Sequence, residues 1–134
     1  MEFKEQVRAA VKEKARSKRF AFLLLAIAIC SEVMGAICLK ACAGFTVLAP
    51  SIATVIGYGL SIGLLVKILQ HLPLGLVYGI WGGVGSAATM LVGVLVWGDP
   101  FTLLTGVGLV LIVGGCYLLN KGTDEIEAAK AQRS

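Results

Sequence analysis

The sequence predicts an all-α membrane protein with four transmembrane helices in an up-down bundle. Three observations lead there. First, 57% of the 134 residues are hydrophobic and only 15% are charged, with a mean hydropathy of +0.88. A soluble domain carries about 25% charged residues. Second, charge is pushed to the ends: between Phe20 and Asn120 the charged residues are Glu32, Lys40, Lys67 and Asp99 alone. A stretch so poor in charge cannot present a water-facing surface over its length, and lipid is the better solvent for it. Third, the apolar part divides into four spans, Phe20–Leu39, Pro50–Leu69, Leu74–Val96 and Phe101–Leu119. Each approaches the ~20 residues that a helix needs to cross ~30 Å of hydrocarbon. Barrel strands would be half as long and would alternate, which these do not.

The connections are short. One lies around Ala43-Gly44-Phe45 and closes at Pro50, one is a tight turn at Gln70-His71-Leu72-Pro73, and Gly98-Asp99-Pro100 is tighter still. Short loops make consecutive helices antiparallel neighbours. The chain therefore divides into a basic amino-terminal extension (1–19), a four-helix membrane domain (20–120) and a polar tail (121–134). In the extension Phe3, Val7, Ala10 and Val11 share one helical face among seven basic residues. That pattern suits a helix lying on an anionic membrane surface, and equally a solvated, frayed extension. Ala26-Ile27-Ala28 resembles a signal cleavage site, but only six apolar residues precede it and the helical pattern runs on past it. The segment is read as uncleaved.

Cys30, Cys38, Cys42 and Cys116 lie in or beside apolar runs with no CxxC pair, and His71 is in a different segment. They read as small packing residues, with no metal site expected. There is no Walker A sequence and no GxGxxG, so no nucleotide cofactor is expected, nor a nucleic-acid partner. Any transport draws on an ion gradient. The composition excludes a soluble enzyme.

Glu32 stands out. It lies twelve residues into the first span, roughly 18 Å along the helix axis. A carboxylate at that depth is costly to keep ionised, and intramembrane acids mark ion and substrate pathways. Such a group can exchange a proton or pair with a bound cation; the competing structural role is a protonated carboxyl held for packing. Tyr58 sits mid-way along the second span, and Tyr78 and Trp81, three apart in the third, share a helical face. Aromatic faces attract cations more strongly when desolvated. One carboxyl and several rings in an apolar site suit a lipophilic cation. Trp97, at a span end, fits an interfacial belt. Gly75, Gly79 and Gly83 repeat every four residues, with Ala87 continuing the row, a stripe that permits close helix approach. Gly82, Gly83 and Gly85 crowd mid-span, where a bend or hinge is expected. Gly108 and Gly115, seven apart, suit a packing seam with another helix.

Together, Ser31-Glu32-Val33-Met34-Gly35, Leu39-Lys40, Gly44-Phe45, Pro50-Ser51, the run Leu72 to Gly85 and the pair Gly108 and Gly115 resemble the small multidrug resistance family in order and spacing. The resemblance covers about Arg19 to Lys121 and says nothing of the extension. It implies an antiparallel dimer that exports cationic compounds in exchange for protons. By that likeness Glu32 is the shared proton and substrate site, Tyr58, Tyr78 and Trp81 are its aromatic lining, Lys40 is the lysine that ends the first helix, and Gly108 and Gly115 form the dimer seam. The guanidinium-exporting branch usually carries tryptophan three residues after the glutamate. Gly35 stands there, as in the multidrug branch, which favours bulky aromatic or quaternary cations. Ala36 departs from the threonine common in that branch, and Asp99 from the glutamate or glutamine usual in the third loop. The alternatives are an exporter of guanidinium or polyamine-type cations, a passive channel, and a non-transporting subunit of a paired heterodimer.

Lys and Arg number eleven on the side holding both termini and the second loop, against Lys40 alone on the other. The positive-inside rule then places both termini in the cytoplasm of a cell whose inner membrane holds the chain. A count so far from balance predicts a second small subunit of opposite orientation as partner, with membrane lipid around the pair; the rival reading is a homodimer, either because the extension is foreign or because the dimer is parallel.

Overall fold

The computed structural model describes residues 1–133 and contains four α-helices. They are α1 (Glu2–Ala41), α2 (Leu48–Ile68), α3 (Leu74–Trp97) and α4 (Leu103–Arg133). Each is long and apolar enough to cross a membrane. Helix α1 packs along α2 and, over a shorter length, along α3, while α4 lies mainly on α3.

The basic segment and the first span form one helix of 40 residues, with no break at Phe20. The cause lies in the composition. No glycine or proline occurs before Gly35, and Ala9, Ala10, Ala15 and the lysines and glutamates around them are good helix formers. The tail likewise continues α4 as far as Arg133, with Gly122 accommodated in the helix.

Two connections differ from expectation. Pro50 lies inside the first turn of α2 rather than closing the loop before it. The first N–H groups of a helix have no intrahelical partner, so a proline there costs no hydrogen bond. The third connection runs over 98–102 and is no shorter than the second, 69–73. Gly98 ends α3 at φ 67°, and Thr102 starts α4 by accepting the Thr105 N–H at 3.2 Å. The first connection turns on three successive left-handed residues, Ala43, Gly44 and Phe45. Cys42 anchors it, buried, with its thiol donating to the Leu39 carbonyl at 3.0 Å.

The core joins Ala21, Leu25, Ala28 and Ile29 of α1 to Leu65 and Ile68 of α2, and to Leu72, Leu76 and Val77. No residue of α4 is buried. Glycine lets it approach α3: a Cβ at Gly83 would stand 3.2 Å from Ile112 Cγ2, and one at Gly79 3.6 Å from Leu119 Cγ.

Polar contacts tie both ends of the bundle. At the terminus end Lys18 pairs with Glu127 of α4, and Ser17 lies 3.1 Å from His71 in the second connection. The Lys18 hydrogen bond holds the Glu127 carboxyl below its usual titration range. The pair therefore persists at neutral pH and is lost only as pH falls through that lowered value. At the other end Lys40 bonds both carboxylate oxygens of Asp99, at 2.9 and 2.7 Å. The amino terminus, second connection and tail thus share one end, and the first and third connections share the other, as an up-down bundle requires.

Candidate functional site

Glu32 sits about three-quarters of the way along α1, where that helix faces α3. Its carboxyl occupies the space that a side chain at Gly85 would fill: a Cβ there would meet Oε2 in a clash and stand 3.1 Å from Cδ. Gly85 is itself buried. Glu32 Oε2 is buried without a hydrogen-bond partner among the described residues. An unsatisfied buried oxygen costs about 1–3 kcal/mol, more when charged. The arrangement therefore favours whatever neutralises or bonds that oxygen, a proton or a cation.

Trp81 lies one turn before Gly85 on the same face of α3. Its Nε1–H donates to Ser61 Oγ at 3.2 Å, and Ser61, fully buried, donates to the Ala28 carbonyl at 2.8 Å. Ala28 is one turn before Glu32. A single chain of hydrogen bonds thus crosses α3, α2 and α1 and fixes the Trp81 ring. Tyr78 meets that ring edge to face, with centroids 5.8 Å apart and planes at 83°, a favourable quadrupole geometry. Tyr78 is half exposed on the bundle's outer surface.

Tyr58 of α2 lies against Gly35 of α1, three residues past Glu32, where the two helices approach closely. A Cβ at Gly57 would stand 2.9 Å from Gly35 Cα and 3.0 Å from the Ser31 carbonyl oxygen. A Cβ at Gly35 would meet Tyr58 Cδ2 at 3.3 Å. The Ser31 hydroxyl donates to the Gly57 carbonyl at 2.8 Å, pinning the crossing beside Glu32. Gly57 and Ser61 were not singled out in the sequence, and Ser31 and Gly35 only through the family resemblance. Hydroxyls and glycines inside apolar spans were the signal, since such residues mediate helix contact in lipid.

The expected glycine roles separate. Gly79 and Gly83 admit α4, and Gly85 admits the Glu32 carboxyl. Gly75 and Gly82 face open space, and α3 is continuous through the cluster. Gly108 and Gly115 also have nothing within 4 Å of a Cβ. A shallow groove of about 290 Å³ beside Gly115 runs between α3 and α4. A larger apolar hollow of about 670 Å³ at the start of α4, lined by Phe101, Val107 and Val110 among others, lies away from Glu32.

The Glu32 carboxyl oxygen thus lies buried against Gly85, with the hydrogen-bonded Trp81 ring one turn away on α3. The family model described as Small Multidrug Resistance protein matches residues 20–112. The chain belongs to the small multidrug resistance family. It is 41% identical over 110 residues to multidrug resistance protein EbrB of Bacillus licheniformis, covering 82% of this chain and 92% of that one. It is 38% identical over 99 residues to quaternary ammonium compound-resistance protein QacC of Staphylococcus aureus, covering 74% and 92%. A third relative, multidrug transporter PA4990 of Pseudomonas aeruginosa, is 44% identical over 93 residues, covering 67% and 84%. The matched family region begins at residue 20 and so leaves the basic extension outside it. Glu32, Tyr58, Tyr78, Trp81 and Gly108 all fall inside it, and Gly115 just beyond.

If the two rings line a cation site, Trp81→Ala and Tyr58→Ala are each expected to weaken binding of tetraphenylphosphonium by about 1–2 kcal/mol, the scale of a desolvated cation–π contact. Isothermal titration on the purified chain measures this. Unchanged affinity in both variants would place the rings outside the site.

Proposed function

We propose that this chain is a multidrug efflux transporter: a proton-coupled antiporter that exports lipophilic or quaternary cations across the cytoplasmic membrane. The observation that carries the reading is the unpartnered, buried Glu32 oxygen against Gly85. Either a proton or a cation neutralises the same carboxylate, so the two compete, and competition at one site is what an exchange cycle needs. The rings of Trp81, Tyr58 and Tyr78 supply the apolar, electron-rich wall that a bulky cation prefers. The chain's likeness to quaternary ammonium compound-resistance protein QacC and multidrug resistance protein EbrB supports this substrate class over guanidinium.

The cycle has three states on the chain's own residues. Deprotonated Glu32 takes a cation from the cytoplasmic side. A change of access exposes the site outward. A proton then displaces the cation and returns with the carrier. The test is quaternary ammonium uptake into inside-out vesicles under an imposed pH gradient. Uptake should follow the gradient and collapse with a protonophore. Uptake indifferent to the gradient would indicate a passive channel and sink the antiport reading.

Four helices, with no residue of α4 buried, do not enclose a path alone. We place Gly108 and Gly115 at a seam with a second subunit of opposite orientation. The charge bias of eleven basic residues to one favours a paralogous partner over a self-dimer, with both termini cytoplasmic. Accessibility labelling of Thr123→Cys and Asp99→Cys, in a background lacking the four native cysteines, checks this. Each site should label from one side only. Labelling of each from both sides, with the chain expressed alone, would mean dual insertion and remove the need for a partner.

A further inference from the structure

At the end of the bundle remote from the termini, three groups converge that the central site does not use. Gly98 turns the chain at φ 67°, and the Asp99 N–H then bonds back to the Gly93 carbonyl at 3.2 Å. This folds the Asp99 carboxylate over Gly93, where a Cβ would meet Oδ2 at 2.6 Å. The Lys40 ammonium, from the last turn of α1, bonds both Asp99 oxygens and lies 4.9 Å from the Trp97 ring centroid. An aromatic face beside a carboxylate is the chemistry that holds an organic cation. Here a cation of the chain's own is seated on it.

We propose that Trp97 and Asp99 form a second, peripheral cation site, in which Lys40 is a tethered occupant that exchanges with a lipophilic cation passing between the central site and water. The substrate class rests on the reading of the central site. The geometry explains why exchange is feasible. Lys40 and Asp99 side chains are 44% and 50% exposed, so a ligand reaches the ring without unfolding the loop. An ammonium is compact and strongly hydrated, which makes it a poor partner for an indole face. A quaternary phosphonium or ammonium is weakly hydrated and covers more of the ring. Lys40 in turn competes at the high effective concentration of a tethered group, so the site releases its ligand readily. That suits a point of passage rather than of storage. Trp97 on this account does more than mark the membrane interface.

The chain has two tryptophans, so Trp81→Phe leaves Trp97 as the sole indole. The test uses the full-length chain carrying Trp81→Phe and Glu32→Gln, titrated with tetraphenylphosphonium in lipid nanodiscs. With Lys40 present, quenching of Trp97 should be weak. Adding Lys40→Met should tighten the midpoint by about tenfold, the scale of one lost competitor for a cation–π and charge contact. Lys40→Gln should do the same, while Lys40→Arg should keep the midpoint weak. Asp99→Asn on top of Lys40→Met should reverse the gain. Neutral triphenylphosphine oxide should not reproduce the response. The proposal is overturned if neither Lys40→Met nor Lys40→Gln shows saturable quenching. It is equally overturned if Asp99→Asn leaves the midpoint unchanged, since that outcome marks simple partition into lipid near Trp97. Because Glu32 is already replaced, failure here leaves the central reading untouched. Failure of gradient-driven uptake would leave this binding result standing.

Discussion

Glu32→Gln is expected to abolish proton-coupled cation export while leaving the chain inserted and folded. Glutamine matches glutamate in shape, so the space against Gly85 is filled as before. What disappears is the single group in the interior of the spans that can carry either a proton or a positive partner. Without it there is no charge to neutralise and no competition to couple. Vesicle uptake under a pH gradient should fall to the level of empty vesicles, and proton release on adding substrate should vanish. In the unaltered chain, cation affinity should decline as pH drops, because protons occupy the same oxygen. Glu32→Asp should keep part of the activity with a displaced pH profile, since the charge stays and its reach shortens. Gradient-driven export by the glutamine variant at the ordinary rate would refute the mechanism.

A comparable effect is expected from Gly57→Ala, by a different route. The added methyl has no flexible neighbour to push aside: it meets Gly35 Cα at 2.9 Å, Gly35 N at 3.0 Å and the Ser31 carbonyl at 3.0 Å, all backbone. Helices α1 and α2 must therefore separate or slide at the level of Glu32. Overpacking of this kind costs about 1–3 kcal/mol. It should also weaken the Ser31 to Gly57 hydrogen bond and carry Tyr58 away from Gly35. Gly59→Ala and Gly63→Ala are the controls, since nothing lies within 4 Å of a Cβ at either. Equilibrium unfolding in mixed detergent micelles should show a loss for Gly57→Ala and none for the controls, with phosphonium affinity falling in step. A Gly57→Ala chain as stable and as tight-binding as Gly59→Ala would show that the crossing does not set the site.

The four spans and their order were legible in the sequence because length and hydropathy are local properties, and the bilayer sets a strict minimum for both. Glu32 was legible for the same reason, as a charge has no bland place in such a span. The pairings were not legible. Lys40 and Asp99 meet across 59 residues of chain, and nothing in either neighbourhood announces the other. The crossing at Gly57 was hidden too. Mid-span glycines are common in membrane helices, and Gly57, Gly59 and Gly63 look alike until the backbone of α1 is in place. The extension reads as a basic helix outside the core, and its continuity with the first span was hidden by the abrupt change of charge at Phe20. Helix continuity depends on backbone propensity, which does not change there.

The continuity of α1 has a mechanical meaning. Forty residues make a rod about 60 Å long, bedded in the core from Ala21 to Ile29 and crossed by α2 at Gly35. Beyond Ala21 the amino-terminal arm runs on for about 29 Å. The Lys18 to Glu127 tie lies at the base of that arm, so a force on the arm at the membrane surface bears on α4, the helix with no buried residue.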